Sequence, residues 1–227
     1  MKYKITVQRQ KSSDSPPYYE QLEFKTEYEN ETVATMLEKL NSGREDEIKW
    51  DCNCLQKKCG ACAMVINGKP RLACDTKLNM FKDKSITLEP LKKFPTVCDL
   101  VVDRSAMMEN LKTLGVWLED NAVHSERRAD IAYEASRCLQ CGCCLDVCPN
   151  FMIDGKFFSA AAVVPSSRII AELAGKKKYE ILSNYRTKLY NGCGKSLSCM
   201  NVCPVGLDVQ RLLVNSNAAA IWKRFIK

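Results

Sequence analysis

With 227 residues, 46% of them hydrophobic and 27% charged, the chain has apolar material for one large or two small domains, each with its own core. A net charge of +7 permits an anionic partner, but apart from KKK at 176–178 the lysines are scattered, and without an aromatic-interleaved basic stripe no nucleic acid is expected. No apolar run approaches the roughly 18 residues of a membrane span, the nearest being SAAAVV at 159–164, so no transmembrane segment is expected and membrane attachment must come through a partner.

The opening MKYKITVQRQ alternates like a strand and has neither the apolar stretch nor the cleavage-site residues of a leader. The expected compartment is therefore the reducing cytosol, where thiols serve as metal ligands rather than disulfides. Residues 3–9 (YKITVQR) and 19–25 (YEQLEFK) read as strands around the turn SSDSPP. ETVATMLEKLNSG sets Val33, Met36, Leu37 and Leu40 at helical spacing and stops at Gly43. ACAMVINGKPRLAC predicts a hairpin turning at Asn67-Gly68, and SITLEPL a further strand. This is a small mixed unit ending near residue 95, with Phe94-Pro95 as the junction.

From Asp99 onward the texture is helical, as in MMENLKTLGVWLED and ERRADIAYEASR. Ser166 or Ser167 is the expected cap of a helix over RIIAELA ending at Gly175. Asp208 is the expected cap of a last helix carrying Val209, Leu212 and Leu213. The second half reads as an all-α domain, giving an α+β chain with domains 1–95 and 96–227.

All but one of the fourteen cysteines fall in three groups, at 52–74, 138–148 and 193–203. Cys54, Cys59, Cys62 and Cys74 spell C-x4-C-x2-C with a fourth cysteine further on, the spacing of a plant-type [2Fe-2S] centre. Two sulfide-bridged irons need four thiolates on a compact loop, and Gly60 and Ala61 leave room for backbone amides near the sulfides. Zinc is the alternative occupant, but zinc sites pair two short knuckles and this group has one. Cys52, two residues upstream, is read as a bystander.

Cys138, Cys141, Cys144 and Cys148, followed by Pro149, form C-x2-C-x2-C-x3-C-P, the bacterial ferredoxin run. Cys193, Ser196, Cys199, Cys203 and Pro204 repeat that spacing with serine at the second position. In two-cluster ferredoxins the fourth cysteine of each run serves the other run's cluster. Cys138, Cys141, Cys144 and Cys203 are then expected around [4Fe-4S]. Cys148, Cys193 and Cys199 are expected around [3Fe-4S], with Ser196 at the vacant corner; the alternative is a fourth iron ligated by Ser196, for which an alkoxide is a poorer match than thiolate. Cys52, Cys98 and Cys143 are assigned to ordinary packing.

Nothing else on the chain reads as catalytic. The single histidine, His124, excludes Rieske ligation and a histidine-based triad, and GCGKS at 192–196 lacks the Walker spacing. Three centres and no substrate site describe a relay.

Taken together, DCNCLQKKCGACAMVINGKPRLAC, FPTVCDLVVDRSAMMENLKTLGVWL, RCLQCGCCLDVCP and CGKSLSCMNVCPVGLDV resemble the iron-sulfur subunit of the succinate dehydrogenase and fumarate reductase family over nearly the whole chain. The resemblance implies a plant-type ferredoxin (β-grasp) domain followed by an all-α bacterial-ferredoxin-like domain. It implies a subunit standing between a flavoprotein, where succinate and fumarate interconvert at covalent FAD, and a membrane anchor that handles quinone. The [2Fe-2S] centre would face the flavin and the [3Fe-4S] centre the quinone. The location implied is the cytoplasmic side of the cell membrane, peripheral through partner subunits.

Ubiquinone-linked members commonly carry tryptophan after the Cys-Pro of the second run. Here Asn150, Phe151, Met152 and Ile153 follow, and FFSAAAVVP replaces the usual glycine-proline-alanine step. These departures lean toward menaquinone or a different final electron partner. The competing readings are the same relay serving another flavoprotein reductase, of a different unsaturated acid or a heterodisulfide, and a zinc-binding interaction module. IWKRFIK at the C-terminus is a candidate for lipid contact, with Trp222 and Phe225 inward.

Overall fold

The computed structural model describes residues 1–117, 126–172 and 175–221. The readings placed on His124 and on Trp222 and Phe225 lie outside the described residues. The chain divides into two compact units: Met1–Arg104 with Leu139–Asp146, and Ser105–Cys138 with Val147–Lys227.

The first unit is built on a five-stranded sheet in the order β2-β1-β5-β3-β4. β1 (Lys2–Arg9) pairs antiparallel with β2 (Tyr18–Lys25) and parallel with β5 (Ser85–Glu89), while β3 (Ala63–Ile66) pairs antiparallel with β4 (Lys69–Leu72) and with β5. The alternation of β1 sends Tyr3, Ile5 and Val7 into the core. The β3–β4 turn falls on Asn67 and Gly68 at φ 47° and 73°, as the Asn-Gly pair requires. Helix α1 (Val33–Asn41) starts where the Thr32 side chain accepts the Thr35 N–H, and it buries Val33, Ala34, Met36 and Leu37.

A short ribbon of β6 (Thr96–Cys98) and β7 (Val101–Val102) belongs to this unit, so helical structure begins at Ser105 and not at Asp99. Buried Arg9 ties the unit together. Its Nε donates to Asp99 at 3.1 Å, its Nη1 to Glu20, and its Nη2 to Asp46 and the Glu47 carbonyl at 3.0 and 3.2 Å. Asp99 also accepts the amide N–H groups of Gln10 and Lys49, each at 2.9 Å. Residues 139–146 are held by the Asp146 carboxylate, which accepts the Lys93 N–H at 3.1 Å, and end in the short helix α4 (Cys143–Asp146).

Among the described residues the second unit contains helices and no strands: α2 (Ser105–Leu114), α3 (Glu126–Ser136), α5 (Ala160–Glu172), α6 (Gly175–Tyr185), a π-helical turn at Arg186–Tyr190, α7 (Ser198–Asn201) and α8 (Val209–Ala220). Its core gathers Leu114, Val163, Ile170, Ile181, Tyr185, Leu189 and Leu213. Asp208 caps α8 as expected, accepting the Arg211 N–H at 2.9 Å.

The helix over RIIAELA is longer than its sequence signals suggested. It starts at Ala160, and Ser166 and Ser167 lie inside it. Their hydroxyls bond back to the carbonyls of Ala162 and Val163 at 2.7 and 2.9 Å, the intrahelical alternative to capping. Among the described residues no helix is long and apolar enough to cross a membrane.

Candidate metal centres

In the first unit a loop between α1 and β3 carries Cys54 and Cys59 and delivers Cys62 to the strand, and a 3-10 turn at Ala73–Asp75 carries Cys74. The loop bends through left-handed positions at Leu55, Lys57 and Gly60 (φ 52°, 57° and 77°), which turns successive amides inward, the arrangement that binds anions. The N–H groups of Gln56 and Lys58 reach the Cys54 sulfur at 3.4 and 3.3 Å. Those two bonds, with help from Cys59, lower the Cys54 thiol to about 7. Cys62 is buried and pairs with Cys74, and burial pushes it up to about 12. The four thiols thus stand as two pairs, Cys54 with Cys59 and Cys62 with Cys74.

Arg104 braces the same loop. Its Nη2 donates to the carbonyls on either side of Cys62, Ala61 at 3.1 Å and Ala63 at 3.2 Å. Its Nη1 faces Asp51 at 3.4 Å.

The 138–148 run is divided. Cys141, Cys143 and Cys144 belong to the first unit, and Cys138 and Cys148 to the second. Cys141 is held down at about 7, first by its hydrogen bond with the Cys143 thiol, then by the Cys143 backbone N–H, with nearby Arg104 adding to both. Cys143 is fully buried, and donation to Cys141 together with burial keeps it protonated. Spacing assigns Cys143 to packing alone; its position as a donor beside a candidate ligand depends on the turn at Gly142 (φ 87°) that no spacing rule encodes.

In the second unit Cys148, Cys193 and Cys199 line one pocket, together with Ser196, Leu197 and Ser159. Burial raises the Cys199 thiol first, and the nearness of Cys148 and then Cys193 adds to it. Left-handed turns at Lys195 and Leu197 (φ 56° and 55°) shape the pocket wall. Asn150 closes it: its Nδ2 donates to the Gly192 carbonyl at 2.6 Å, joining the segment after Cys148 to the one before Cys193. In sequence Asn150 stands out only as a departure from tryptophan, because the brace joins residues 42 positions apart. Cys203, in the same unit, accepts the Leu207 N–H at 3.4 Å.

Among the described residues no three His, Cys, Asp or Glu side chains converge on a point that would hold one metal ion. The donors fit a multi-iron group instead. They are thiols spread in pairs or around a pocket, with amide N–H groups turned toward sulfur, and their buried members would be neutral unless a metal held them as thiolates.

Comparison with known proteins agrees with this chemistry. Residues 4–109 match the family model described as a 2Fe-2S iron-sulfur cluster binding domain, and residues 134–207 the one described as a 4Fe-4S dicluster domain. The chain is 32% identical to the succinate dehydrogenase iron-sulfur subunit of Bacillus subtilis, over 91% of this chain and 87% of that one. It is 29% identical to the fumarate reductase iron-sulfur subunit of Wolinella succinogenes, over 88% of each. A chain of the Mycobacterium smegmatis Sdh1 complex shares the fold, with a TM-score of 0.80 at 21% identity, covering 98% of this chain and 97% of that one.

Proposed function

Because the chain belongs to the family of succinate dehydrogenase and fumarate reductase iron-sulfur subunits, we propose that it carries electrons, one at a time, between the FAD of a flavoprotein subunit and quinone at a membrane anchor. In this reading [2Fe-2S] is held by Cys54, Cys59, Cys62 and Cys74, [4Fe-4S] by Cys138, Cys141, Cys144 and Cys203, and [3Fe-4S] by Cys148, Cys193 and Cys199. The module 1–95 faces the flavoprotein and the module 96–227 the anchor, on the cytoplasmic side of the membrane. Substrate conversion belongs to the flavoprotein.

The observation that carries the reading is the company Cys148 keeps. It ends the first bacterial-type run yet lines the pocket of Cys193 and Cys199 from the second, as crosswise ligation requires. The protein's own part is to hold thiolates, turn amides toward sulfur and bury Cys62 away from water. The iron-sulfur groups supply reversible one-electron chemistry.

The test is to purify the chain with its native partners and assay succinate oxidation and fumarate reduction with ubiquinone and menaquinone analogues. About nine irons per chain, in groups of two, four and three, with electron paramagnetic resonance signals for each centre and activity with either acid, would support the reading. A colourless zinc protein, or partners lacking flavin, would overturn it.

A further inference from the structure

Ser159 immediately precedes α5 and stands in a position that two features make costly for serine. Its backbone is left-handed at φ 61°, a conformation that glycine adopts without strain and a residue with a Cβ does not. Its side chain is buried, the residue being 1% exposed, and the hydroxyl has no hydrogen-bond partner among the described residues, a condition that native proteins rarely tolerate. A serine ahead of a helix ordinarily gives its oxygen to an amide of the first turn. Here the backbone carbonyl takes the N–H groups of Ala162 and Val163, each at 3.1 Å, and the hydroxyl is left over.

The same residue lines the pocket of Cys148, Cys193 and Cys199. A buried donor without an acceptor and three thiols suited to an electron-rich inorganic group are complementary. Glycine would remove both the strain and the orphaned hydroxyl, and alanine would remove the hydroxyl, so the serine makes sense if its acceptor is a sulfur of the bound group. Ser196 lines the same pocket, but it has a hydroxyl neighbour in Ser198 at 3.3 Å, whereas Ser159 has no partner among the described residues.

We propose that the Ser159 hydroxyl donates a hydrogen bond to a sulfur of the iron-sulfur cluster held by Cys148, Cys193 and Cys199, and thereby raises the reduction potential of that centre. The proposal rests on the ligand set given under the proposed function. Reduction adds negative charge that spreads onto sulfur, so a donor aimed there stabilises the reduced form more than the oxidised one. In the step concerned one electron leaves the neighbouring centre, which is oxidised, and arrives at this one, which is reduced. The hydroxyl hydrogen stays on Ser159 throughout.

The test uses the purified complex carrying Ser159→Ala or Ser159→Gly and a redox titration followed by electron paramagnetic resonance of the oxidised three-iron signal. Both variants are expected to retain that signal and to lower the midpoint so that the reduced-to-oxidised ratio at fixed poise falls about tenfold, which is about 59 mV for one electron. The glycine variant also relieves the left-handed strain, so a folded variant is at hand even if alanine perturbs the turn. Unchanged potentials in both variants would overturn the proposal, and so would a shift in glycine alone, which would trace the effect to release of backbone strain rather than to loss of the hydroxyl. Absence of the three-iron signal from the unmutated complex would strike the ligand assignment itself, before any substitution is made.

Discussion

Gly60 lies so close to Cys141 that a Cβ built on it would stand 2.8 Å from the Cys141 Cβ and 2.9 Å from the Leu139 carbonyl oxygen. The loop of the first thiol group and the segment bearing the next run's second cysteine are therefore in van der Waals contact within one unit. In the proposed assignment that contact brings the protein shells of two centres together. Gly60→Ala meets both obstacles at once, the clash and φ 77°. Left-handed strain costs about 1–2 kcal/mol and overpacking about 1–3 kcal/mol. The expected outcome is a lower unfolding midpoint and weakened spectral signals from both the Cys62 and the Cys141 centres, read by visible absorption and electron paramagnetic resonance.

Arg9 satisfies three carboxylates and a carbonyl from a side chain only 3% exposed. Replacing it with leucine leaves Asp99, itself 6% exposed, as a charge without its cation. Removing one partner of a buried pair costs about 3–5 kcal/mol. Arg9→Leu should shift the chemical denaturation midpoint by a corresponding amount, and Arg9→Leu with Asp99→Asn should recover part of it. A double variant no better than the single one would show that Asp99 is held by the Gln10 and Lys49 amides alone.

Local rules were enough for β1, for the Asn67-Gly68 turn and for the Asp208 cap, because each depends on residues within a few positions of one another. Thiol spacing likewise pointed to the cysteines that line the second-unit pocket. The start of α5 was hidden because Ser166 and Ser167 look like caps in sequence, while the alanine run before them has the higher helix propensity and Ser159, in a left-handed turn, opens the helix. That 139–146 joins the first unit follows from the Lys93–Asp146 bond and from Gly142, where a Cβ would stand 3.1 Å from the Phe94 ring. Those are tertiary facts with no local signature. The Asn150 brace to Gly192 spans 42 positions and was illegible for the same reason.

Ser196 shares the pocket of Cys148, Cys193 and Cys199, and thiolate suits iron better than alkoxide. Ser196→Cys should therefore complete a four-thiol set. The oxidised three-iron signal should disappear, a reduced four-iron signal should take its place, and iron per chain should rise by about one atom. Persistence of the original signal at unchanged iron content would mean that position 196 does not face the missing corner.

Tyr185 on α6 donates from its buried hydroxyl to the Asn217 Oδ1 on α8 at 2.9 Å, and this bond joins two helices of the second unit's core. Tyr185→Phe leaves the amide oxygen unsatisfied, at a cost of about 1–3 kcal/mol, so the denaturation midpoint should fall. Burial, with Cys193 nearby, raises the Tyr185 phenol above its ordinary range. A raised acid holds its proton more tightly in the folded state, so its contribution to stability is whole below about pH 10, the unfolded value, and is lost as pH climbs through the folded one. Unmutated protein should therefore show an alkaline loss of stability that is smaller in Tyr185→Phe, and the difference between the two curves isolates this group from the lysines and other tyrosines. Parallel curves above about pH 10 would mean that the phenol titrates alike in both states and that burial does not hold it in the neutral form.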